Sequence, residues 1–232
     1  MIQTDWIVPR GWAGPEMEGG VPVPRLYSIK PAISFRGRRF RGLRGWKGKP
    51  AHPPLTDFPI AMYVLAAFCD VVSFVAASDA IGDGNASVAH DFFAAGSIAI
   101  IAGAVISLPT ALTGFWDWWR GLPRDRSTGP IGVAKHSQVW RTANWHMTVM
   151  LTVTAIAIID IVVRLTQSTD DAASAAVMIL SVLVAVTVSF GAAYGGALVY
   201  EYGFNVESVE GSPVWDETEE DVLPGRRPRS TS

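Results

Sequence analysis

The residues of this chain whose types could do chemistry are four histidines, three ionisable groups inside apolar runs, and a proline-rich stretch ending in an aspartate. Imidazole is a metal and haem ligand and the side chain that titrates nearest neutral pH. His52, His136 and His146 fall at one end of the apolar runs, and His90 falls at the other. A hydrocarbon core of about 30 Å separates those ends. No histidine lies at mid-depth, so a bis-histidine haem in the centre of a bundle is unsupported. A site at one face is the alternative. Its cofactor ligands would be His52 and His146, with His136, Asp57 or Asp117 as further metal donors. Each residue also has an ordinary role. Asp57 suits a helix N-cap, Asp117 can pair with Arg120 or Arg141, and His146 can sit at an interface between Trp145 and Met147. No tight spacing such as His-x-x-x-His is present. The expectation is therefore no cofactor, with haem or metal at His52, His146 and Asp117 as the alternative.

Asp70, Asp160 and Arg164 are the charged residues within apolar runs, and such groups are functional candidates by default. Asp160 and Arg164 are four apart and share a helix face. Arg164 can also reach toward Asp70, which the run places near the midplane. A structural ion pair of Asp70, Asp160 and Arg164 is expected. Proton transfer needs ionisable groups at successive depths, and the last run supplies none. Gly-x-Ser-x-Gly, phosphate-cradling glycine loops and Glu-x-x-His are all absent, so hydrolase, nucleotide-driven pump and di-iron chemistry lack their signatures. The reading leans away from an enzyme, with no catalytic residue assigned.

The elements that must position these groups are long apolar helices. In 232 residues, 49% are hydrophobic and 17% charged, low for a soluble domain. Four runs are long enough to span a bilayer, with helices expected at about 58–78, 89–119, 142–166 and 172–202. Asp57 is expected to cap the first, with Pro59 in its first turn. Pro109 is expected to kink the second, which closes in the aromatic belt Phe115-Trp116-Asp117-Trp118-Trp119. The fold class is all-α, an integral membrane four-helix bundle with an irregular N-terminal arm and C-terminal tail. Its divisions are a basic, proline- and glycine-rich arm (1–51), the transmembrane domain (52–203), and an acidic-then-basic tail (204–232).

Cations crowd the arm and the second loop and are missing from the first and third loops. Both termini are therefore expected in the cytoplasm, with the chain in the inner membrane of a bacterium. No cleavable signal peptide is expected. Arm residues 35–49 interleave arginines with aromatics, which suits anionic lipid or a partner better than nucleic acid. Gly96, Gly103, Ser107, Thr110 and Gly114 share one side of the second helix, and Gly191 and Gly195 are four apart on the fourth. These small faces suit packing within the bundle, with a homo-oligomer as the alternative. The lone Cys69 can form no internal disulfide.

Taken together, His52-Pro-Pro-Leu-Thr-Asp-Phe-Pro-Ile60, Asp70, Leu112-Thr-Gly-Phe-Trp-Asp117, His146, Arg164 and Gly195-Gly-Ala-Leu-Val-Tyr200 resemble a bacterial membrane family known as domain of unknown function twenty-two thirty-one. The resemblance covers roughly residues 47–206. It implies a four-helix membrane protein. Some members are fused to Rieske iron–sulfur or cytochrome domains, which implies a redox or respiratory setting. Many members carry histidine where Asp57 and Tyr202 stand here, a departure that weighs against a metal site. The functional expectation is a non-enzymatic accessory subunit of a larger redox-linked membrane complex. Its partners would be the bilayer and other subunits held by the arm and tail. The alternative is a small membrane cytochrome or metal-binding electron-transfer protein with its site at the cytoplasmic face.

Overall fold

The computed structural model describes residues 39–78, 85–122, 138–167 and 171–206. Four helices account for most of them: α1 (His52–Ala77), α2 (Ala86–Gly121), α3 (Gln138–Thr166) and α4 (Ala175–Tyr200). Each is long and apolar enough to cross a membrane. Their outward faces carry large apolar side chains such as Ile98, Leu165 and Val186, which are more than half exposed in the isolated chain. A bilayer is the solvent such faces require.

The first helix is capped six residues before the expected position. Ala51 occupies the N-cap, and His52 is the first helical residue. Pro53 and Pro54 therefore fall in the first turn, where no N–H has an intrahelical partner to lose. Asp57 is not a helix cap. It lies within α1 with its side chain exposed. Pro59 is consequently an interior, buried proline. Its missing N–H leaves the Leu55 carbonyl without its usual donor. Thr110 on α2 supplies one: its hydroxyl lies 3.2 Å from that oxygen. The other helix starts are ordinary. Asn85 accepts from the Val88 N–H at 3.1 Å and Ser174 from the Val177 N–H at 3.4 Å.

α1 packs along α2, α3 packs along α4, and α1 also lies on α4. The central layer joins Tyr63, Ala66, Ile100, Val153, Val184 and Val188. The glycine stripe of α2 faces α1. A Cβ at Gly103 would sit 2.8 Å from the Tyr63 ring, and one at Gly96 would sit 2.5 Å from Asp70 Oδ1. These small residues bring the two helix backbones together inside the bundle.

The two helical hairpins repeat one pattern. On α1, Pro59, Tyr63, Ala66 and Asp70 are buried; 94 positions later on α3, so are Val153, Ala157, Asp160 and Arg164. On α2, Gly96, Ile100, Gly103, Thr110 and Asp117 are buried; 81 positions later on α4, so are Val177, Ser181, Val184, Gly191 and Leu198. The same offsets relate His52 to His146 and Gly114 to Gly195. Related residues meet where the hairpins face each other: His52 approaches His146, and Asp70 bonds Arg164. The two hairpins thus carry one buried pattern, repeated along the chain.

Beyond α1, the end of the arm is ordered against the bundle. A 3-10 turn (Gly42–Arg44) leads into a minimal hairpin, β1 (Gly45–Trp46) paired antiparallel with β2 (Lys49–Pro50). Gly45, at φ 75°, cannot carry a side chain there: a Cβ would lie 2.7 Å from the Ala51 nitrogen.

Candidate functional site

Two clusters hold the polar chemistry, a half-buried one toward one end of the bundle and a buried one toward the other. The first contains His52, at the start of α1, and His146, near the start of α3. Their ring centroids are 6.2 Å apart and the rings are nearly perpendicular, at 74°. Each ring is aimed by the partner helix of its own hairpin. His52 Nδ1 lies 3.0 Å from the Thr110 carbonyl oxygen, and His146 Nδ1 lies 2.9 Å from the Gly191 carbonyl oxygen. A carbonyl can only accept, so in both rings Nδ1 carries the proton and donates. In the neutral imidazole Nε2 is then left with its lone pair. This is the tautomer that a metal-binding histidine needs, and the backbone bond raises its basicity.

Glycine makes room for both rings. A Cβ at Gly114 would stand 2.6 Å from His52 Cε1, and one at Gly195 would stand 3.1 Å from His146 Cε1. The same device therefore serves each half of the repeat: a carbonyl one turn before a glycine, with the imidazole laid across both.

Asp117, expected as a third metal donor, belongs to a different group. Arg44 Nε donates to Asp117 Oδ1 at 2.9 Å, and Asn205 Nδ2 donates to the same oxygen at 2.9 Å. Arg44 also donates to Asn205 Oδ1 at 2.7 Å. This clamp joins the arm, the end of α2 and the segment after α4. Phe204 closes over Gly121, where a Cβ would meet its ring at 2.7 Å. Among the described residues, no three His, Cys, Asp or Glu side chains converge as a metal site. His136 lies outside the described residues. His90 stands near the start of α2, beside Asp91 at 3.5 Å, away from the other two.

The second cluster is built around Arg164. Its guanidinium donates from Nε to Asp160 Oδ1 at 2.9 Å and from Nη2 to Asp160 Oδ2 at 3.2 Å. It donates from Nη1 to Asp70 Oδ1 at 3.0 Å and to Ser97 Oγ at 3.2 Å, and from Nη2 to Asp70 Oδ2. Asp70 and Asp160 are completely buried, and Arg164 is 4% exposed. The Phe93 ring lies 5.7 Å from the guanidinium carbon. Asp70 stands 18 positions after His52, or about 27 Å along α1 at the usual helical rise. It therefore sits in the half of the bundle far from the histidines, deeper than the midplane placement expected from a helix starting at Asp57.

Sequence reasoning named His52, His146, Asp70, Asp160 and Arg164 without their carriers. Thr110, Gly114, Gly191 and Gly195 orient the imidazoles, and Arg44 and Asn205 occupy Asp117. One signal for the carriers was present: the spacing of 18 from His52 to Asp70 recurs from His146 to Arg164 and from Gly96 to Gly114.

A family model described as predicted membrane protein (DUF2231) matches residues 48–208. No curated protein matches the chain, and no solved structure does.

Proposed function

Since the chain belongs to this family of predicted membrane proteins, and the family model covers all four helices, we propose that it is an electron-transfer protein of a redox-linked bacterial inner-membrane assembly, in which His52 and His146 would hold a haem. The observation that carries this reading is the approach of those two rings. An imidazole nitrogen binds a metal at about 2.0–2.1 Å. The two rings stand 6.2 Å apart, and the carbonyls on both Nδ1 atoms leave each Nε2 as the nitrogen that would bind a metal. Among the described residues no three His, Cys, Asp or Glu side chains group around a metal position, and a porphyrin would bring nitrogen donors of its own.

Bound there, the haem would supply one-electron transfer. The chain's own contribution is orientation. The Thr110 and Gly191 carbonyls hold both imidazoles in the Nδ1–H form, and the glycines let the rings lie close to the helix axes. The cation-rich arm and second loop support a cytoplasmic position for this end and for both termini.

The second reading is a cofactor-free accessory subunit. It is favoured by the Arg44–Asp117–Asn205 clamp, which ties the arm side of α1 and the segment after α4 to the same end of the bundle. An absorption spectrum of protein purified from haem-supplemented cells separates the two. A Soret band that disappears in both His52→Ala and His146→Ala supports the haem site. A colourless wild-type protein that also fails to bind added haemin removes it and leaves the accessory reading.

A further inference from the structure

The ordered end of the arm has an outer edge that the haem reading does not use. Two backbone bonds fix its shape: Arg41 N–H to the Gly45 carbonyl at 2.7 Å, and Lys47 N–H to the Arg39 carbonyl at 3.0 Å. The Phe40 and Trp46 rings pack at 5.1 Å. Arg44 turns inward to the clamp. Its neighbours turn outward: Phe40 is 61% exposed, Leu43 is 49% exposed, and Arg39 and Arg41 are exposed beside them. This edge alternates cations with large apolar groups, on a segment held rigidly where α1 begins and α2 ends.

We propose that this edge is a docking surface for the anionic lipid headgroups of the leaflet around the bundle. Its position supplies the first argument. The clamp ties the hairpin to Asp117, which lies between Trp116 and Trp118 on α2. Tryptophans gather at the level of the headgroups. Charge complementarity supplies the second. Arg39 and Arg41 meet phosphate there, while Phe40 and Leu43 reach the acyl boundary, as amphipathic interfacial segments do. Apolar side chains so exposed would face water if the hairpin stood clear of the bilayer. A nucleic acid would use the two cations and leave Phe40 and Leu43 wet. The surface stands independently of the histidine pair.

The test uses the full chain in lipid nanodiscs, carrying Cys69→Ser and an environment-sensitive fluorophore on Leu43→Cys. In discs of phosphatidylcholine with increasing phosphatidylglycerol, emission should move to shorter wavelength. The shift should reverse at 1 M salt, where screening acts within about 3 Å. Arg39→Gln with Arg41→Gln should lower the preference for phosphatidylglycerol by about 10- to 30-fold. Thermal stability should stay unchanged, because Arg44 is untouched. Native mass spectrometry of the unlabelled chain gives an independent reading: the double variant should retain fewer phosphatidylglycerol molecules than wild type. Identical spectra in both lipids, equal retention, or a shift produced by single-stranded RNA in pure phosphatidylcholine discs would each overturn the proposal.

Discussion

Replacing Arg164 should be the most damaging single change in the bundle, and Asp70→Asn should partly repair it. Arg164 makes five hydrogen bonds, four of them to carboxylates that are fully buried. Arg164→Gln leaves two carboxylates facing each other with no cation. Breaking a buried ion pair from one side costs about 3–5 kcal/mol, and here two acids lose the same partner. Asp70→Asn is milder. The guanidinium keeps Asp160, and the amide oxygen can still accept from Nη1, so the loss is nearer the roughly 1.5–3 kcal/mol of a charged hydrogen bond. In the double variant, Asp160 alone remains ionisable and no like charge opposes it. The double variant should therefore be more stable than the sum of the singles by about 1–3 kcal/mol. The assay is unfolding in a fixed detergent, with midpoints read for wild type, both singles and the double. Additivity within about 0.5 kcal/mol would refute the coupling. An Arg164→Gln variant no less stable than Asp70→Asn would refute the claim that one cation serves two acids.

Gly114→Ala should disturb the histidine site more than Gly195→Ala, because the new methyl would stand 2.6 Å from His52 Cε1 in the first case and 3.1 Å from His146 Cε1 in the second; the fraction of protein binding haemin reads the order, and equal loss would contradict it. Thr110→Val should destabilise by about 1–3 kcal/mol in the same unfolding assay, since it strands the Leu55 carbonyl that Pro59 has already deprived of a donor; in a Pro59→Ala background, which restores the N–H, most of that loss should vanish. For topology, single cysteines at Lys47 and Ser127 in a Cys69→Ser chain should resist a membrane-impermeant thiol reagent in whole cells, and one at Gly84 should label; the reverse pattern would invert the orientation.

Four spans and an all-helical class were readable from the chain because a bilayer demands long uninterrupted apolar runs, and their length is a local property. Asp160 and Arg164 were readable as neighbours for a similar reason, since a helix places residues four apart on one face. The start of α1 was misplaced for a physical reason. Asp57 is a good capping residue, yet Pro53 and Pro54 prefer a first helical turn, and Thr110 on a distant helix makes Pro59 tolerable inside it. Propensity cannot count a hydrogen bond that arrives from 55 residues away in sequence.

The sequence by itself determined which residues lie in the membrane and which charges must find partners there, because burying an unpaired ion in hydrocarbon is costly wherever it sits. Only the tertiary structure decided the partners of Asp117 and of the two histidines. Asp117 had Arg120 and Arg141 as expected partners, and in the fold it bonds Arg44 and Asn205. His52 and His146 carry no local signature of a pair. They meet because two hairpins with the same buried pattern pack against each other with these equivalent residues facing. Helix periodicity sets the face a residue occupies. Which face lies opposite is set by how the glycines and large side chains of all four helices interlock, and that is a property of the assembled bundle.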